Sequence, residues 1–151
     1  MSERVEDTEV LYRRVIFDPL CFEVVGDKII VTSTAFNDRH KQPSVDRAKL
    51  CNAEPAYTQG ADKRAGVVSL ITEEVRSISL QSGGETPQTY IVDVVADPVG
   101  PDHPHLVENP AHAEIRADPS ISSKGVFQRL RRSLALLAQK RGWLILPDEN
   151  R

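Results

Sequence analysis

Aromatic side chains make up only 5% of this 151-residue chain, with a single Trp. A core with so few rings must be built from Val, Ile, Leu and Ala. There are two cysteines, Cys21 and Cys51, in no Cys-x-x-Cys arrangement. That excludes a cysteine zinc knuckle and fits a reducing compartment better than a disulfide framework. No apolar run approaches the roughly 20 residues of a membrane span, and the acidic N-terminus has no apolar core of the kind a signal peptide needs. A cytoplasmic protein without membrane contact is expected. Gly-rich phosphate loops, G-x-S-x-G and His-Glu-x-x-His are all missing, so neither a cofactor nor a metal is expected. The net charge of -3 argues against wholesale binding to nucleic acid.

The length fits one domain with a real core. Residues 1–9, acidic and almost without apolar side chains, read as a flexible solvated arm. Residues 10–147 read as a single domain, and 148–151 as a C-terminal tail. Residues 10–17 form a first strand, ended by Asp18-Pro19. Residues 21–25 and 28–35 are two arms of a hairpin around Gly26-Asp27. Ser44 stands where it would cap a short helix. Residues 66–78 carry Val67, Leu70, Ile71, Val75 and Ile78 at three- and four-residue spacing, which predicts a helix. Residues 89–96 and 112–117 alternate as strands. A long helix starts at a Ser122 or Ser123 cap, buries Val126, Leu130, Leu134, Leu137 and Ala138, and stops at Gly142. Residues 143–146 are a last apolar segment, an edge strand or a plug. The predicted class is α+β, a small mixed or antiparallel sheet with two main helices packed on one side.

Residues 91–116 concentrate the chemistry. Two strands flank a loop with four prolines, and the segment holds three of the four histidines. On a strand, His112 and Glu114 point to the same side, where a carboxylate favours the imidazolium and fixes its tautomer. His103 and His105 lie in the loop itself. Asp46 and Arg47 form a second candidate, Arg47 for holding a phosphate or carboxylate. Arg13 or Arg14, then Ser33-Thr34, then Glu114, in that order on strands, are similar to the pattern of ADP-ribosyltransferases, although His112 stands where that family has a second acidic residue. Finally, Arg116, Lys124, Arg129, Arg131, Arg132, Lys140 and Arg141 line the C-terminal end. They offer a basic face over residues 124–141 for nucleic acid or an acidic protein partner, with Arg129 and Arg132 as contacts.

Tyr12-Arg13, Ser33-Thr34-Ala35-Phe36, Ser44-Val45-Asp46-Arg47, the GVVSL of residues 66–70, Asp97-Pro98 and Asn109-Pro110-Ala111-His112-Ala113 together resemble a group of small bacterial proteins of unknown function. The resemblance covers most of residues 11–117. It implies a bacterial, cytosolic, single-domain protein, supplies no activity, and points to Ser44, Asp46, Arg47, Asn109 and His112 as one set.

Three functions compete on these grounds. The first is a small accessory protein of a multi-protein system, presenting a His/Glu/Arg site to a ligand or protein partner. The second is an enzyme on a phosphate-containing substrate, either ADP-ribosyltransferase-like or a hydrolase, with Arg13, Arg47, His112 and Glu114 as catalytic groups. The third is a nucleic-acid-associated subunit. The enzyme reading requires those four residues to converge in one pocket.

Overall fold

A computed structural model describes residues 3–150. Residues 1, 2 and 151, the ends of the expected arm and tail, lie outside the described residues. The strands are β1 (Val10–Val15), β2 (Phe22–Val25), β3 (Lys28–Val31), β4 (Ser44–Arg47), β5 (Gly66–Ile71), β6 (Leu80–Gln81), β7 (Thr89–Ala96), β8 (His112–Asp118) and β9 (Trp143–Ile145). The α-helices are α1 (Pro55–Gln59), α2 (Thr72–Arg76) and α3 (Lys124–Arg141), with 3-10 turns at Ser33–Phe36 and Ala48–Leu50. Seven strands form one antiparallel sheet in the order β6-β7-β8-β4-β1-β5-β9, and β2-β3 stand apart as a hairpin.

Strand alternation separates two faces. Leu11, Val45, Val68, Leu70, Val92, Val94, Ala113 and Ile115 turn toward α3, whose Val126, Phe127, Leu130, Leu134, Ala135 and Ala138 complete the main core. Leu130 and Leu134 are fully buried; each such Leu contributes about 1.5–3 kcal/mol. Ser123 caps α3 by accepting from the Val126 N–H, and Gly142 ends it at φ 88°. Near that end the Gln139 side chain accepts from the Val31 N–H at 2.8 Å, and the Trp143 indole donates to the Ile29 carbonyl at 2.8 Å. The first fastens the hairpin to the helix and the second to β9. On the opposite face Tyr12, Ala48, Cys51, Val67 and Ala111 form a smaller cluster.

Only one of the two expected main helices exists. Residues 66–78 are strand β5 followed by the five-residue α2. The apolar spacing misleads because β5 is buried on both faces. Val67 belongs to the smaller cluster, while Val68 and Leu70 belong to the main core. A continuous apolar run fits both a helix and a doubly buried strand. Gly66 is needed at the strand start, where an added Cβ would sit 2.7 Å from the Trp143 ring and 2.9 Å from the Ile145 carbonyl. The SVDR segment is strand β4 and not a capped helix start.

Residues 3–9 are not a free arm. Val5 is fully buried. The Glu9 carbonyl accepts from both the Thr72 N–H and hydroxyl, and the Asp7 carbonyl accepts from the Glu73 N–H. Composition hides this, because the charges themselves are what dock the segment. Among the described residues no helix is long and apolar enough to cross a membrane.

Candidate functional site

Register sets a row of polar side chains across the face opposite α3. Asp46 on β4 pairs with Tyr12 on β1 and with His112 on β8, and Ser44 pairs with Glu114. Tyr12, Ser44, Asp46 and His112, but not Glu114, line a cleft of about 260 Å3 together with Arg13, Arg14, Ile16, Thr58 and Asn109.

The SVDR and NPAHA segments are joined at its floor. The Asn109 amide donates to Asp46 Oδ1 at 2.9 Å, Thr58 Oγ1 donates to Asp46 Oδ2 at 2.8 Å, and the Arg47 N–H donates to the Ala111 carbonyl at 2.8 Å. Asn109 Oδ1 accepts in turn from the Tyr57 hydroxyl at 2.6 Å, so α1 braces the cleft. Burial and the charge of Asp46 push the Tyr57 hydroxyl up, which keeps it a donor. Asp46 is 9% exposed and is held by neutral donors alone among the described residues.

His112 lies between two partners. Its Nδ1 is 2.7 Å from the Asp97 carbonyl and 3.4 Å from Asp97 Oδ2, and its Nε2 is 3.1 Å from Ser44 Oγ. A carbonyl can only accept, so the neutral ring carries its proton on Nδ1 and turns a lone pair toward the Ser44 hydroxyl. Asp97 reaches this place because β7 and β8 stay paired past Ala96, its N–H donating to the His112 carbonyl at 2.9 Å. Asp97 is the group that sequence reasoning misses. Its signal was the Asp97-Pro98 pair directly after a strand, which reads first as a turn.

Glu114 stands beside this chain but is engaged by Arg116, at 2.9 Å from Nε and 2.7 Å from Nη2. Asp97, His112 and Glu114 lie close enough to offer three ligand atoms to a cation. Arg116 already brings a positive charge there, lying 4.0 Å from Asp97 as well. It competes with any ion for the same carboxylates.

Two of the four expected catalytic residues are elsewhere employed. Arg47 is 2% exposed and donates twice to Glu9, Nε and Nη2 both at 2.8 Å. Strand alternation turns it away from Asp46. Arg13 reaches the cleft edge, but its guanidinium is spent on the carbonyls of Ala35 (3.0 Å), Asn37 (3.0 Å) and Ser44 (2.8 Å) and lies over the Phe36 ring. Burial lowers its pKa to about 10, the Asp38 charge opposing and Arg14 adding to the shift. Ser33 accepts from the Gln128 side chain on α3. Arg13 and Ser33 of the ADP-ribosyltransferase pattern are therefore engaged away from Glu114, which bonds Arg116. Arg14 is the exception among these cations: it is exposed and makes no hydrogen bond or ion pair among the described residues.

The remaining candidates are spread out. His103 and His105 are exposed, and His103 Nδ1 accepts from the N–H groups of His105 and Leu106. This is a loop-ordering role. Along α3, Arg129 donates to the Gln81 carbonyl, Arg131 to Gln128 and Arg141 to Ser69. Lys124, Arg132 and Lys140 make no hydrogen bond or ion pair among the described residues. Burial first, and neighbouring carboxylates next, push both cysteine thiols up, away from nucleophilic use.

Comparison with protein-family models, curated proteins and solved structures found no match to this chain.

Proposed function

We propose that this protein binds a small anionic ligand, carrying a carboxylate or phosphate, in the cleft between β1, β4 and β8. One observation carries the reading: Arg14, which makes no hydrogen bond or ion pair among the described residues, lines the same cleft as the Ser44 hydroxyl and the His112 ring. Arg is well suited to grip a planar or tetrahedral anion through parallel N–H bonds, and Ser44 and Asn109 stand by as neutral polar contacts. At about 260 Å3 the cleft lies just below the lower end of ligand pockets, about 300 Å3, which limits the occupant to a small molecule or the end of a larger one. The accessory role expected from the sequence fits such a ligand-presenting domain.

Inorganic phosphate is the first probe. In an amide NMR titration, saturable shifts are expected at residues 12–16, 44–46 and 109–112. Arg14→Gln should weaken that binding about tenfold, the equivalent of about 1.4 kcal/mol, without altering the rest of the spectrum. Shifts that never saturate, or that ignore the Arg14 substitution, would count against the cleft.

A further inference from the structure

The geometry points to Ser44 as a nucleophile for acyl transfer, activated by His112 and oriented through Asp97; this rests on the cleft being a ligand site and names what happens to the ligand. The three groups stand in the order nucleophile, base, orienter. Ser44 Oγ is within hydrogen-bond reach of His112 Nε2 at 3.1 Å, and Nδ1 is fixed by the Asp97 carbonyl at 2.7 Å with the Asp97 carboxylate at 3.4 Å. Such a constellation is recognised by geometry and not by chain order or local motif. That is why the missing G-x-S-x-G does not weigh against it. The carbonyl contact selects the tautomer in which Nε2 can accept a proton, and the nearby carboxylate stabilises the imidazolium once it has done so.

The rest of the cleft fits the same step. Arg14, which lines the same cleft, supplies the positive charge that holds the anionic group of the ester. Arg13 acts as a positioning residue, its Nη1 holding the Ser44 carbonyl at 2.8 Å.

The substrate class is an ester bearing an anionic group. Ser44 Oγ attacks the ester carbonyl carbon as its proton passes to His112 Nε2. The bond to the leaving alcohol then breaks, and that alcohol takes the proton from Nε2. Water attacks the acyl-Ser44 ester, giving a proton to Nε2. Collapse releases the carboxylic acid and returns the proton to Ser44 Oγ, so the cycle consumes one ester and one water.

The test is covalent labelling of the full chain by a fluorophosphonate, read by intact mass and peptide mapping, beside hydrolysis of 4-nitrophenyl hemisuccinate and of neutral 4-nitrophenyl acetate. One adduct on Ser44 is expected, absent in Ser44→Ala and slowed about 100-fold in His112→Ala. Asp97→Asn should slow labelling less and shift its pH profile, which a merely structural loss would not do. The anionic ester should be preferred, and Arg14→Gln should remove the preference. An unlabelled Ser44 in a chain that still binds phosphate through Arg14 would overturn the nucleophile and leave the ligand cleft standing. If phosphate binding is also lacking, both fall. Should Ser44→Ala misfold by circular dichroism, Ser44→Thr, which keeps the hydroxyl, must still label if the assignment holds.

Discussion

Arg47→Ala is expected to lower the unfolding free energy by about 3–5 kcal/mol, the usual result of removing one partner from a buried ion pair. The Arg47 and Glu9 side chains are 3% and 5% exposed, with bonds of 2.8 Å. Without the guanidinium, Glu9 keeps only the Glu6 N–H at 2.7 Å and a distant Lys49 at 3.6 Å. Urea denaturation measures the loss. The double substitution Glu9→Leu/Arg47→Met should recover most of it, because apolar groups of similar volume carry no desolvation penalty. A pH dependence accompanies this. Burial alone would raise the Glu9 carboxyl, but the bonds from Arg47 and Glu6 and the charges of Arg47 and Lys49 outweigh it and hold it below its ordinary value. A depressed carboxyl stabilises the fold above the unfolded pKa of about 4.3 and loses that contribution as pH falls through the folded value. The wild type should therefore weaken below about pH 4, and Arg47→Ala should lack this component.

Arg13→Ala is the second large expected effect, at least about 3 kcal/mol, since charge-assisted hydrogen bonds contribute about 1.5–3 kcal/mol each. Three carbonyls lose their donor at once, and the turn at Ser33–Phe36 is released from β1 and β4. Arg13→Lys should recover only part of it, because an ammonium cannot span three acceptors arranged around a planar fork. Amide exchange would show the loss concentrated at residues 33–37 and 44–45. A uniform loss across the sheet, or none, would contradict this role.

Much of the scaffold is legible in the sequence. The alternation of residues 89–96 and 112–117, the Gly26-Asp27 turn, the Ser123 cap and Gly142 each reflect a local rule that tertiary context did not override. The segment at 66–78 fails because period alone cannot separate a doubly buried strand from a helix. SVDR fails because Ser44, a good helix cap, uses its hydroxyl on His112 instead. Reading SVDR as a strand would have split Asp46 from Arg47 by alternation, one to the cleft and one to Glu9. The pairing of SVDR with NPAHA follows from long-range register, which no short-range signal contains. Asp97 was hidden for the same reason: its role depends on β7 and β8 staying paired beyond the predicted strand end.

The most direct test of the site is the tautomer of His112, read from long-range 1H–15N couplings at about pH 8.5, above the ordinary imidazole range. The expected result is a protonated Nδ1 and a bare Nε2, with the Nε2 resonance shifting on Ser44→Ala as its hydroxyl donor is lost. A ring protonated on Nε2, or an Nε2 resonance indifferent to Ser44, would contradict the arrangement on which the cleft's chemistry depends.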